Sequence, residues 1–367
     1  MAKIRVLVVD DAVVVRRILT EALAADSSIE VVGVAANGRI ALQRIPQVNP
    51  DVVTLDVEMP ELDGLATLRE IRKTWPRLPV IMFSTLTERG AATTLEALSA
   101  GASDYVTKPA NVGSVEIAQQ RVRDEIVPKI KALCGRFEPT IAPTERKVML
   151  PPRPKSPVSS LPKRVDILAI GTSTGGPNAL GAVLPLLPAD FPIPIVITQH
   201  MPPVFTKLLA ERLTARGPLK FFEGEPGARL EPGIGWVAPG DHHMVLARDG
   251  TSIKLKLNQE PPENSCRPAV DPMFRSVVEI YGERTLAVIL TGMGQDGLRG
   301  CEQVKEAGGH VVVQDEQSSV VWGMPGFVAQ AGLADSVLPL DRIAMELVRI
   351  AKIGRTGAPS AAALGRG

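Results

Sequence analysis

Short runs rich in Val, Ile and Leu recur through residues 1–130, each separated from the next by an amphipathic stretch, and that alternation leaves few folds open. Candidate strands cover 4–9, 30–35, 51–55, 79–84 and 103–107, with helical patterns at 13–25, 38–47, 65–73, 89–99 and 114–133. The strand runs are continuously apolar rather than alternating, as strands are when helices cover both faces of a parallel sheet. Five βα units in that order predict a doubly wound, five-stranded, flavodoxin-like sheet.

The texture breaks between 136 and 164, where seven of 29 residues are proline and no period survives. Such a stretch buries no core and reads as a stiff linker whose seven basic and two acidic residues keep it solvated. A second α/β pattern begins at Val165, with strands at 166–170, 193–198, 219–222, 285–290 and 310–313. Its helical stretches fall at 176–187, 204–216, 270–281, 297–307 and 342–353. Between 224 and 257, Pro-Gly pairs and Asp249-Gly250 predict antiparallel hairpins inserted in a mainly parallel, doubly wound domain. The expected division is 1–125 and 164–355 as domains, 126–163 as helix end and linker, and 356–367 as a flexible tail.

Composition removes several functions. Lys plus Arg is 41 against 40 for Asp plus Glu, so no global charge draws the chain to nucleic acid or to an anionic membrane. No apolar run approaches the ~18 residues of a membrane span, and the run at 6–9 is too short for a secretory signal core. Cys134, Cys266 and Cys301 have no metal-ligand spacing. A reduced, cytoplasmic protein is expected, acting as a monomer.

Asp10 and Asp11 close the first candidate strand and Asp56 the third. Strand ends of one direction share an edge in a doubly wound sheet, and that edge is where ligands bind. Three carboxylates there repel unless a cation neutralises them, and an oxygen-only ligand set with room for water suits Mg²⁺. Ser84 and Lys108 end the fourth and fifth strands, supplying the hydroxyl donor and counter-charge that an acyl phosphate on Asp56 needs. Singly, Asp-Asp reads as a helix cap and Lys108-Pro109 as a turn; together at these strand ends they read as one site.

Val8-Val9-Asp10-Asp11, Leu55-Asp56-Val57-Glu58-Met59-Pro60 and the segment from Gly101 through Tyr105 to Lys108-Pro109 resemble the receiver domain of two-component response regulators. The resemblance implies phosphorylation of Asp56 by a histidine kinase. It implies Mg²⁺ held by Asp11, Asp56 and the Glu58 backbone carbonyl, with Asp10 acting through water. It also makes Ser84 and Tyr105 the switch pair. Ala12 and Val14 depart from the commonest pattern after Asp-Asp without touching these roles.

In the second half, Gly171-Thr172-Ser173-Thr174-Gly175-Gly176-Pro177 follows a strand and opens a helix. It lacks the Gly-Lys-Ser/Thr ending of a nucleotide-phosphate loop, so a serine nucleophile in a tight strand-to-helix turn is the sharper reading. Such a serine needs a base. Of four histidines, His200 follows the strand at 193–198; His242 and His243 lie in the hairpin region, and His310 begins a strand and so lies at the opposite edge. For the orienting carboxylate, Asp296 in Thr291-Gly292-Met293-Gly294-Gln295-Asp296-Gly297 also follows a strand. Asp315 and Asp271 are its rivals, the latter placed to cap a helix. The same turn offers backbone amides to an oxyanion.

The order Ser, His, Asp differs from that of α/β-hydrolases. The Ser173 turn, Gln199-His200-Met201-Pro202, Ala238-Pro239-Gly240, Arg267-Pro268-Ala269-Val270-Asp271, the Asp296 turn and Val321-Trp322-Gly323-Met324-Pro325-Gly326 resemble the CheB family of chemotaxis protein-glutamate methylesterases. That family usually has Ser at Ala269 and Ala at Thr172. The resemblance implies a Ser173–His200–Asp296 triad, with the Met293 backbone amide as oxyanion donor and no metal in this half. It implies methyl-accepting chemoreceptors as substrate, glutamine deamidation through the same acyl-enzyme, and a chemotaxis histidine kinase as phosphodonor. An unphosphorylated receiver is expected to cover the Ser173 cleft. A DNA-binding regulator would need a basic helix-turn-helix, which an α/β second half does not provide; a catalytically inert adaptor would not need the three polar residues.

Overall fold

The computed structural model describes residues 2–108, 115–135 and 162–355, which fall into two compact units built around two parallel sheets. The proline-rich linker, Pro109 and the tail from 356 lie outside the described residues.

The first unit runs β1 (Ile4–Val9), α1 (Val13–Ala24), β2 (Ile29–Ala35), α2 (Gly38–Val48), β3 (Val52–Asp56), α3 (Gly64–Thr74), β4 (Val80–Ser84), α4 (Glu88–Ser99), β5 (Asp104–Thr107) and α5 (Val115–Leu133). The sheet order is β2-β1-β3-β4-β5, all parallel. Strands β3 and β4 are buried at every position, which is why their apolar runs are unbroken. Side chains set three helix starts: Asn37 accepts from the Ile40 amide, Asp63 from Ala66 and Thr87 from Gly90, each satisfying an amide the helix cannot. Asp10 and Asp11 are not such caps. Ala12 stands at the N-cap of α1 without a side-chain bond, and Asp10 instead accepts from the Ala12 amide (2.9 Å).

The second unit runs β6 (Ile167–Thr172), α6 (Gly176–Val183), β7 (Ile195–Gln199), α7 (Phe205–Arg216), β8 (Lys220–Glu223), β9 (Ile234–Val237), β10 (His243–Asp249), β11 (Ser252–Asn258), α8 (Val270–Tyr281), β12 (Thr285–Ile289), α9 (Leu298–Glu306), β13 (His310–Gln314), α10 (Met324–Gln330), β14 (Ser336–Leu338) and α11 (Leu340–Ala351). Its sheet has the order β14-β13-β12-β6-β7-β9-β8, again parallel. A core of Ile167, Val196, Met273, Phe274, Val277 and Val311 lies between sheet and helices.

The turn-rich stretch from 224 to 257 holds the antiparallel hairpin expected there, and a strand of the main sheet besides. Among the described residues only β10 and β11 form such a hairpin; β9 enters the main sheet between β7 and β8. Gly235 permits this, because a Cβ there would fall 2.2 Å from the Phe221 ring on the neighbouring strand.

Candidate functional site

In the first unit, β1, β3, β4 and β5 end together. Asp10 and Asp56 are buried, at 0% and 2% exposure, and Lys108 Nζ lies 2.9 Å from Asp10 Oδ2 and 2.7 Å from Asp56 Oδ2. Apart from that ammonium, neither oxygen has a hydrogen-bond partner among the described residues. Asp11 is exposed, and carboxylate oxygens of Asp10, Asp11 and Asp56 lie within 4.8 Å of one another. Buried anionic oxygens facing one ammonium fit a hard divalent cation, and this acidic cluster is typical of a receiver's Mg²⁺ site.

Burial and then the Asp10 charge raise the Asp56 carboxyl to about 6, against the hydrogen bond and charge of Lys108. For Lys108, burial favours the neutral amine, but hydrogen bonds to Asp56 and Asp10 outweigh it and its pKa is raised. Glu58 donates its amide to Asp56 Oδ1 (3.3 Å), so the backbone after β3 curls back over the carboxylate. Ser84 is buried at the end of β4 and donates to the Thr85 carbonyl (3.2 Å). Tyr105 is buried on β5, where burial and then the Asp104 charge push its phenol well above the usual range.

In the second unit, β7, β6 and β12 are neighbours, and the candidate residues sit on their carboxyl ends. Thr172 pairs with Gln199, so Ser173 and His200 continue two adjacent, aligned strands. His200 also donates its backbone amide to the Thr172 carbonyl (3.2 Å). Ser173 is half-buried in the turn before α6, where Gly176 donates to its carbonyl (2.8 Å). Gly171 keeps α8 close to this strand end: a Cβ there would lie 2.5 Å from a Val270 methyl.

His200 Nε2 lies 2.7 Å from Asp296 Oδ2, and both side chains are largely buried. Asp296 in turn occupies the N-terminus of α8. It accepts from the amides of Val270 (2.6 Å) and Asp271 (3.1 Å), and from Gly297 (3.0 Å). Helix amides and the helix dipole favour a carboxylate at that place. Although burial alone would raise it, the His200 bond, the imidazole charge and these amides hold the Asp296 carboxyl below its usual value.

The other imidazole nitrogen, Nδ1, meets Cys266 Sγ at 3.4 Å. Burial opposes charge on the ring, but Cys266 and the bond to Asp296 prevail and push the His200 pKa up to about 10. Nothing in a cysteine 66 residues away marks this contact in the sequence.

The rivals resolve by position. His243 is buried at the start of β10, bonded through Nδ1 to the Ala269 amide and through Nε2 to the Pro261 carbonyl. His242 faces the Gly240 carbonyl, and His310 starts β13 at the far edge of the sheet. Asp315 accepts from the amide and hydroxyl of Ser318. Asp271 does not cap α8, contrary to expectation. Ala269 is the N-cap, and Asp271 accepts from Gly300 of α9 (2.8 Å) and from Asn264 (3.0 Å).

The Met293 turn is braced from outside. Gly323 and Met324 donate to the Gly292 carbonyl (3.1 and 2.8 Å), and Thr172 donates its hydroxyl to the Thr291 carbonyl (2.9 Å). Thr172 thus ties the Ser173 strand to the Asp296 turn.

Comparison with known proteins agrees with both halves. The family model for the response regulator receiver domain matches residues 6–118, and that for CheB methylesterase matches 168–347. A protein-glutamate methylesterase/protein-glutamine glutaminase of Trichodesmium erythraeum (strain IMS101) is 52% identical over 349 residues, spanning 95% of this chain and 99% of its own. One from Nocardioides sp. (strain ATCC BAA-499 / JS614) is 50% identical over 356 residues, spanning 95% and 96%. The crystal structure of the Thermotoga maritima CheB methylesterase catalytic domain is similar with a TM-score of 0.50 and 45% identity, covering 51% of this chain and 98% of that one. The chain therefore belongs to the CheB family of chemotaxis enzymes, protein-glutamate methylesterases/protein-glutamine glutaminases that carry a response-regulator receiver domain.

Proposed function

We propose that this enzyme demethylates glutamate methyl esters on the cytoplasmic part of methyl-accepting chemoreceptors, and deamidates receptor glutamines, with Ser173, His200 and Asp296 as its triad. The observation that carries the reading is the 2.7 Å His200–Asp296 bond, made where the strand bearing Ser173 ends beside that of His200.

With Nε2 bound to Asp296, Nδ1 is the nitrogen that takes the Ser173 proton. The serine oxygen attacks the γ-carbonyl, the Met293 backbone amide stabilises the oxyanion, and Asp296 stabilises the imidazolium. His200 returns the proton to the departing methoxy oxygen and methanol leaves. Water, losing a proton to the same nitrogen, attacks the acyl-enzyme and frees glutamate and Ser173. A glutamine gives the same acyl-enzyme with ammonia leaving, so deamidation needs no further group.

Residues 1–125 form the regulatory domain in this reading, 164–355 the catalytic one, and 126–163 the connection. Asp56 accepts phosphate from a chemotaxis histidine kinase. Asp10, Asp11, Asp56 and the Glu58 carbonyl would hold Mg²⁺, which supplies positive charge against the phosphoryl oxygens. Lys108 and Ser84 contact the phosphoryl group, and Tyr105 reports it. The unphosphorylated receiver restrains the catalytic domain and phosphorylation releases it. The protein works in the cytoplasm, as a monomer.

The test is methanol release from methylated receptor, with and without a small-molecule phosphodonor and Mg²⁺. The phosphodonor should raise the rate, and Asp56→Asn should abolish the rise. Ser173→Ala should lower the stimulated rate by ~10⁴-fold or more. Retained hydrolysis in Ser173→Ala refutes the triad; an inert wild-type protein would make it an adaptor.

A further inference from the structure

Among the described residues, the carboxylate that orients His200 has one side-chain donor besides the imidazole. Asn264 Nδ2 lies 2.9 Å from Asp296 Oδ1 and 3.0 Å from Asp271 Oδ2, so one amide group spans two buried carboxylates. Asn264 itself is exposed. Its amide is nonetheless turned inward, against the tendency of an exposed polar side chain to face water.

The backbone explains how. Glu263 and Cys266 exchange two hydrogen bonds (3.1 and 2.9 Å), closing a tight turn whose central residues, Asn264 and Ser265, have φ of +51° and +62°. Two successive left-handed residues make a type I′ turn, a conformation that asparagine and glycine tolerate best. The turn is anchored at both sides. Arg267 pairs with Asp241 (2.6 Å) and donates to the carbonyls of Gln259 and Glu260, while Glu263 pairs with Arg275 of α8.

Two like charges otherwise face each other here. The Asp271 carboxyl is raised to about 6 by burial and then by the Asp296 charge. Among the described residues, His200, Arg275 and Glu263 also carry charge near Asp296. A neutral double donor lets both carboxylates remain ionised and fixes the Oδ1–Oδ2 plane of Asp296, and hence the direction of Oδ2 toward His200.

We infer that Asn264 is a positioning residue of the methylesterase reaction, holding Asp296 in the orientation that aims the His200 imidazole. The inference rests on the triad proposed above.

The decisive variant is Asn264→Gly, examined in the full chain by methanol release from methylated receptor with the phosphodonor present. Glycine suits the left-handed turn and removes only the amide. The expected result is a fall in kcat of about 10-fold, the scale of a lost hydrogen bond to a charged group, with KM unchanged. The acid limb of kcat/KM should move to higher pH, because Asp296 without the donated bond holds the imidazolium more tightly. Asn264→Asp keeps the size and turn preference but adds a third carboxylate, and should be slower than Asn264→Gly. If Asn264→Gly keeps the wild-type kcat and pH profile, the residue serves the turn alone and the inference is overturned. Asp296→Asn run alongside separates the two claims. Full activity there sinks the triad itself, whereas a large loss there with a normal Asn264→Gly sinks only the role of Asn264.

Discussion

Replacing Cys266 by alanine should make the enzyme faster near neutral pH. Cys266 Sγ stands 3.4 Å from His200 Nδ1, the nitrogen left to accept the serine proton once Nε2 is bound to Asp296. With Cys266 and Asp296 both favouring the charged ring, the imidazole pKa is about 10. A general base works only when neutral, so activity should climb as pH rises toward that value. Removing the sulfur removes one source of the upward shift. Each unit of fall multiplies the neutral fraction ~10-fold and corresponds to ~1.4 kcal/mol. Cys266→Ala should therefore raise kcat/KM at pH 7.5 by ~10-fold per unit, move the acid limb down equally, and leave the alkaline plateau alone. Stability gives a second readout. A histidine with a raised folded pKa contributes stability that is full below its unfolded value near ~6.5 and is lost as pH rises toward about 10. The stability difference between pH 6 and pH 10 should shrink in the variant by ~1.4 kcal/mol per unit. Methanol release from pH 6 to 10, with denaturant melts at both ends, measures both. An unmoved acid limb, or a rate at pH 7.5 that falls, refutes the reasoning.

In the receiver, the raised Asp56 carboxyl means that its ionisation opposes folding increasingly from pH ~4 to about 6. Asp56→Asn should then be more stable than wild type by about 1–3 kcal/mol at pH 7 without Mg²⁺, with the gap closing at pH 4; a gap independent of pH contradicts this. Thr172→Ala removes a buried hydroxyl bond to the Thr291 carbonyl and should cost about 1 kcal/mol in urea melts with little change in kcat, since the tie is structural. A Cβ at Gly323 would stand 2.7 Å from the Gly292 carbonyl oxygen and 3.0 Å from the Gly294 amide, so Gly323→Ala should push on the Met293 turn. It should lose about 1–3 kcal/mol and slow methanol release, and wild-type kinetics would show that the turn is not under that constraint. The fragment 160–367 should outpace the resting full chain in the same assay; equal rates would end the restraint model.

What the chain revealed before folding followed from strand physics. A parallel strand covered on both faces must be apolar throughout, so its polar terminal residue stands out, and Asp10, Asp56, Ser84, Ser173 and His200 all lie at or just beyond such ends, with Asp296 in the turn that follows β12. Where packing rather than local pattern decides, the text was silent or misleading. Ile234–Val237 is bracketed by Pro-Gly pairs and reads as hairpin, yet it is an inner parallel strand because Phe221 lies over a glycine on it. Ser336–Leu338 is too short and too half-exposed at the sheet edge to announce itself, and Met324–Gln330 opens on proline and glycine that look like a turn. Asp271 shows the same limit at the site, since an acidic residue in the first turn of α8 looks like a cap. Asp296, 25 residues away, already takes the first two amides of that helix, so Asp271 turns to Gly300 and Asn264 instead. That displacement ties fold to chemistry. The carboxylate that ends the α8 dipole is the one that holds His200, so loosening the start of α8 should disturb the imidazole before it disturbs the core.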